Sequence, residues 1–266
     1  MMENLTVRNN VPLVHCITNY VTVNDVANVL LACGGSPIMA DDINEVADIT
    51  SISNALVINI GTLNERTIAS MVKAGKRANE MGIPVVLDPV GAGASTLRNE
   101  TTEKLVGELK LAVIRGNLSE VSFIAGLEVS TRGVDSSDAD NKNDPVTVAR
   151  AVAQKYNCTV AITGAVDVIS DGTRCAKISN GVPFMSKVTG TGCMLSAVVG
   201  AYVGANKDTY AATVKAVASM GIAGEIAYER TKDIGSGSFH IAIIDAINKI
   251  EDRSLEKRAP IDEKTA

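Results

Sequence analysis

The chain has 266 residues, 46% hydrophobic and 21% charged, with 3% aromatics and no tryptophan. A net charge of −5 with scattered Lys and Arg excludes the basic, aromatic-studded face of a nucleic-acid binder. A chain this long buries enough surface to need no disulfide or metal staple.

Five cysteines without a C-x-x-C pair, and only two histidines, argue against a zinc cluster and for reduced thiols in the cytoplasm. The N-terminus lacks the basic start and apolar run of an export signal. The near-apolar run 193–205 is too short to span a bilayer and reads as a buried helix. No membrane association is expected.

Along the chain, short β-branched runs alternate with segments of helical length. Residues 12–17 (PLVHCI) read as a strand, 24–31 as a helix and 38–40 as a short strand. Residues 55–60 (ALVINI) form a buried strand. The apolar spacing of Ile68, Met71, Val72 and Ala78 marks a helix over 64–81, and 84–87 is the next strand. Strands follow at 111–114 and 159–163, with a helix over 146–156 between them. Asp171-Gly172 places a hairpin turn within 167–179. Three late helices are expected at 191–205, 210–228 and 238–250. Continuous apolar strands alternating with helices predict an α/β fold, a mostly parallel sheet covered on both faces. One domain over 1–250 is expected. The stretch 133–145 reads as an exposed loop. The charged tail 251–266 is expected to be poorly ordered.

Four motifs sit at strand exits or helix starts. In the first, Lys187-Val188-Thr189-Gly190-Thr191-Gly192-Cys193 runs into a small-residue helix. Glycines bring backbone close to a ligand, and a helix N-terminus attracts phosphate. A thiol in that first turn is expected to have a lowered pKa; the plain alternative is a tight turn with an inert cysteine. In the second, DPVGAG places Asp88 at the end of a strand, able to hold magnesium or simply to make an Asp-Pro turn. In the third, RGNLSE supplies Arg115 for a phosphate. Its Asn117 and Glu120 are spaced either for a capping box or for a magnesium shell. In the fourth, AITG supplies Thr163, followed by Asp167 and Asp171. Their convergence on one crevice is the informative feature, because open α/β sheets bind ligands at the carboxyl ends of their strands. A P-loop and a dinucleotide fingerprint are both missing from the sequence. His15, within a strand, reads as a satisfied core residue.

These motifs, in this order, resemble the ribokinase-like superfamily. With HCITNYVTVNDVANVLLACGGSPIMA, NIGTL, DPVGAG, RGNLSE, AITGAVDVISDG and VTGTGC, the chain from about residue 11 to 250 is similar to the hydroxyethylthiazole kinases. The resemblance implies a three-layer fold and ATP- and Mg²⁺-dependent phosphorylation of 4-methyl-5-(2-hydroxyethyl)thiazole in thiamin salvage. It further implies Arg115 and Thr163 as ATP-binding residues, and Met39, Gly190, Asn19 and Gly61 as substrate-binding residues. Asp88 and Glu120 would handle magnesium, Cys193 would activate the hydroxyl, and the assembly would be a homotrimer with active sites shared between subunits. The superfamily usually ends the glycine motif in Asp; here Cys193 stands there, which implies a slow enzyme. Two alternatives are another ribokinase-like activity, disfavoured by the N-terminal stretch and GTGC, and a nucleotide-sensing protein without turnover.

Overall fold

The computed structural model describes residues 7–127, 143–250 and 259–265. Its strands are β1 (Leu13–Ile17), β2 (Ser36–Ile38), β3 (Ala55–Asn59), β4 (Val85–Asp88), β5 (Val113–Gly116), β6 (Thr159–Ile162), β7 (Asp167–Ser170), β8 (Arg174–Ile178) and β9 (Ile261–Thr265). They form one sheet in the order β2-β1-β3-β4-β5-β6-β7-β8-β9. Strands β2 to β6 run parallel, and β6 to β9 extend the sheet as an antiparallel meander.

The helices are α1 (Val7–Asn10), α2 (Val23–Cys33), α3 (Val46–Ser51), α4 (Glu65–Met81), α5 (Thr96–Glu108), α6 (Leu118–Ala125), α7 (Pro145–Tyr156), α8 (Thr191–Ala205), α9 (Thr209–Thr231) and α10 (Ser236–Ile247). They cover both sheet faces because successive strand residues point to opposite sides. Val57, Val86 and Val113 join the core under α2, α8, α9 and α10. Leu56, Ile58, Leu87 and Ile114 join the core under α3 to α7. Two apolar faces on one strand explain why the parallel strands read as unbroken hydrophobic runs.

Helix α8 is apolar on nearly every side because it lies between the sheet and α9, touching β1, β3, β4 and α2. No helix among the described residues is long and apolar enough to cross a membrane. Glycine sets how closely α8 approaches the sheet: a Cβ on Gly200 would stand 2.5 Å from Val57 Cγ2. This docking fixes where the helix N-terminus emerges.

Most expected elements are present with shifted ends. The strand expected at 111–114 lies two residues later, so Arg115 and Gly116 belong to β5. The short strand expected at 38–40 begins instead at Ser36, and its Pro37 fits an edge strand. The 167–179 hairpin forms, with Gly172 at φ 93°. Helices α1, α3 and α5 have no counterpart among the expected elements; α5 carries too few apolar residues to show a clear period.

The tail is a correction. Residues 251–258 lie outside the described set, but Ile261–Thr265 is strand β9, with Ile261 opposite Ile178. The open edge of β8 supplies a backbone ladder, so a charged segment adds a strand without an apolar pattern. Of the expected 133–145 loop, 133–142 lies outside the described residues. Asp144 caps α7 through Thr147 N–H at 3.0 Å.

Replacing Gly200 with Ala should destabilise the protein by about 1–3 kcal/mol through overpacking, outweighing a helix-propensity gain of about 1 kcal/mol. Urea denaturation measures this, and adding Val57→Ala should recover part of the loss. An unchanged midpoint for Gly200→Ala alone would refute the tight α8–β3 contact.

Candidate active site

Strands β3, β4 and β5 end at Asn59, Asp88 and Gly116, and Thr163 follows β6. Register pairs Asn59 with Asp88, and Arg115 with Ala161. These exits open on a cavity of about 620 Å³, closed opposite by the turn from Ser186 to Cys193. Asn19, Gly61, Asp88, Arg115, Glu120, Thr163, Gly190 and Cys193 all line it. Met39, the remaining candidate, follows β2, packs against the core and is not part of this lining. A second hollow of about 530 Å³ shares Arg115, Thr163 and Gly192 with the first and adds apolar walls from Val182, Met185 and Leu195.

Asp88 is wholly buried. Its Oδ2 accepts from Asn59 Nδ2 at 2.7 Å and Ser196 Oγ at 2.8 Å. Its Oδ1 has no hydrogen-bond partner and faces Arg115 Nη1 at 3.6 Å. Burial pushes its pKa up, and Arg115, Ser196 and Asn59 oppose that rise.

Glu120 makes the capping box that its spacing allowed. Its Oε2 accepts from Asn117 N–H at 2.8 Å, while Asn117 Oδ1 accepts from Glu120 N–H at 2.9 Å. Its Oε1 accepts from Gly91 N–H at 2.8 Å, which ties the loop after β4 to α6. Burial first, and the Asp88 charge second, raise it to about 7.

Two repelling buried carboxylates, one with an orphaned oxygen, fit a hard divalent cation that completes its shell with phosphate and water. Among the described residues no group of three or more His, Cys, Asp or Glu is placed to hold a metal ion alone.

Arg115 Nη2 donates to Thr163 Oγ1 at 2.7 Å. A Cβ on Gly192 would lie 2.8 Å from Arg115 Nη1, so glycine there lets the guanidinium lie against the first turn of α8. Gly190, the N-cap of that helix, has φ 88° and packs against Thr22, whose Cγ2 would stand 2.7 Å from a Cβ. The result is a cation beside the positive end of a helix, an anion site.

Cys193 Sγ is approached by Asn19 Nδ2 at 3.2 Å and Asn59 Nδ2 at 3.3 Å. Its pKa corrects an expectation: burial and the Asp88 charge hold the thiol above its ordinary value despite the helix start. The other four cysteines are buried and free. His15 is the expected core histidine, with Nδ1 2.9 Å from Thr50 Oγ1 and Nε2 2.7 Å from Ala40 O.

Sequence reasoning missed Asn59, Ser196 and Arg98. Arg98 donates to the carbonyls of Ile60, Gly61 and Val90. Asn59 had a signal, as the polar residue closing an apolar strand. Ser196 lies one turn past Cys193 on the same face of α8. Arg98 sits in a helix without a clear apolar period and had none.

Comparison with known proteins shows which family the chain belongs to. Residues 5–253 match the model of the hydroxyethylthiazole kinase family. The chain is 61% identical over 258 residues to the hydroxyethylthiazole kinase of Ruminiclostridium cellulolyticum, covering 97% of this chain and 94% of that one. It is 59% identical over 260 residues to that of Clostridium beijerinckii, with coverage of 97% and 94%. Among solved structures, the hydroxyethylthiazole kinase protein of Pyrococcus horikoshii OT3 superposes with a TM-score of 0.87 at 40% identity, covering 97% and 96%. The pyridoxal kinase from Staphylococcus aureus, solved with AMP-PCP and pyridoxal, has a TM-score of 0.64 at 18% identity and coverage of 96% and 100%, a likeness of fold alone. The three layers are therefore the ribokinase-like arrangement, and agreement over nearly the whole length places this chain in the hydroxyethylthiazole kinase family.

Proposed function

We propose that this kinase transfers the γ-phosphoryl group of ATP to the hydroxyl of 4-methyl-5-(2-hydroxyethyl)thiazole, with magnesium, as a cytoplasmic step of thiamin salvage. The observation that carries the reading is Arg115, which reaches from Thr163 to Asp88 directly beside the N-terminus of α8. A triphosphate lying along that line would meet a guanidinium, a hydroxyl and free helix N–H groups. The apolar hollow beyond Thr163 is suited to the nucleotide base. Asn19, Gly61 and Gly190 border the part of the cavity holding Cys193, where the alcohol would sit.

Phosphoryl transfer needs positioning and neutralised charge more than covalent help. Asp88 and Glu120 would hold the magnesium ion, which when bound neutralises phosphate charge. Arg115 orients the phosphates. The hydroxyl oxygen bonds to the γ-phosphorus as the bond to ADP breaks, and the hydroxyl proton passes toward Cys193. Only the thiolate of Cys193 can take that proton, and its raised pKa keeps that form scarce, so its contribution is small.

A coupled kinase assay with ATP, magnesium and the thiazole alcohol tests this reading; no turnover there would overturn it. Glu120→Gln should lower kcat roughly 10- to 100-fold, with the deficit largest at limiting magnesium. It should also melt earlier, because the amide leaves one of two backbone N–H groups without its acceptor. Wild-type kinetics for Glu120→Gln at limiting magnesium would remove it from the metal site.

The Cys193 assignment has a paired test. Cys193→Ala should keep ATP binding and lose activity by no more than about 10²-fold, the low end for a general base. Cys193→Asp should fold and stay active, because the two Asn amides aimed at Sγ can donate to a carboxylate. A folded but inactive Asp variant beside a fully active Ala variant would exclude Cys193 from the reaction.

The trimer is part of the proposal. Met39 lies outside the cavity lining of its own chain, while Tyr20 is 79% and Val21, in the cavity wall, 56% exposed. A neighbour covering these residues would place its Met39 near the thiazole. Sedimentation at micromolar protein should give a trimer, and an active monomer would refute the shared site.

A further inference from the structure

Asn59 closes β3 and is 1% exposed. Its amide has two donors and two acceptor positions, and all four are used. Nδ2 donates to Asp88 Oδ2 at 2.7 Å and to Cys193 Sγ at 3.3 Å. Oδ1 accepts from Asn19 Nδ2 at 3.0 Å and from Gly61 N–H at 2.9 Å. A backbone N–H can only donate, so Gly61 fixes the oxygen on its own side and turns the amine toward Asp88 and Cys193.

We infer that Asn59 is a positioning residue for the kinase reaction. Together with Ser196 from α8 it clamps Oδ2 of Asp88. That leaves Oδ1, the oxygen without a hydrogen-bond partner, as the one turned to Arg115. The same amine sets the Cys193 sulfur at a fixed place relative to that carboxylate. A single side chain therefore registers three groups from separate elements: the carboxylate on β4, the thiol on α8 and the Asn19 loop after β1. The catalytic consequence rests on the function proposed above; the hydrogen-bond network does not.

Two sets of variants test the inference. Asn59→Ala should lower kcat roughly 10- to 100-fold, as loss of a buried orienting partner does. Its KM for ATP should change little, because Arg115 and Thr163 are untouched. Asn59→Asp keeps the shape but sets a carboxylate oxygen against Asp88, and it should melt well below wild type. Adding Asp88→Asn exchanges donor and acceptor across the same pair. The double variant should melt near wild type while kcat stays low, because the carboxylate now sits on the wrong strand.

Wild-type kcat in Asn59→Ala would overturn the inference. So would a double variant that melts no higher than Asn59→Asp. If the wild-type enzyme itself fails to phosphorylate the thiazole alcohol, the proposed function fails. The melting comparison then still decides whether Asn59 holds residue 88.

Discussion

A carboxylate shut away from water is costly to ionise unless dipoles and charges replace its hydration. Asp88 is such a group, and much of the site follows from supplying those replacements. The amide of Asn59 comes from the neighbouring strand and the hydroxyl of Ser196 from the helix above. Arg115 comes from the strand on the other side. Each lies at a strand exit or in the first turns of α8, because only those positions converge there. The replacement is incomplete, since one oxygen has no hydrogen-bond partner and a second buried carboxylate stands nearby. That deficit of compensating groups is what the magnesium role proposed for Asp88 and Glu120 would make use of.

The same logic explains the rigidity of the surroundings. Helix α8 approaches the sheet through a residue with no side chain, so its N-terminus cannot slide without opening a gap against Val57. A preorganised anion site needs its dipoles fixed before the substrate arrives. The tight packing of an apolar helix far from solvent thus serves the polar chemistry at its end.

Much of this was legible in the sequence, and the reasons differ by residue. Asp88, Arg115, Thr163 and the glycine turn were readable because apolar strand runs end abruptly at polar residues, and strand ends gather in a parallel sheet. Asn59 closes such a run as well, yet its role depends on which strand lies beside β3, and spacing along the chain does not encode that. The thiol of Cys193 illustrates a different limit. A helix start argues for a lowered pKa, but burial and the Asp88 charge, both tertiary properties, outweigh it. Glu120 carried two readings, cap or metal ligand, and the backbone bonds it makes are fully compatible with both. Strand β9 was missed because edge pairing rests on backbone groups, which every residue has.

Arg98 carries a mechanical consequence. One guanidinium grips carbonyls from the loop after β3 and from the loop after β4. Shifting either loop alone would strand donors or carbonyls that water cannot easily reach, so the two loops behave as one stiff lip. The opposite rim, the segment from Pro183 to Gly190, is held by other means: Phe184 stands edge-on to the buried Phe239 at 5.0 Å and Val188 lies within the core, so side-chain packing fixes that side of the cavity.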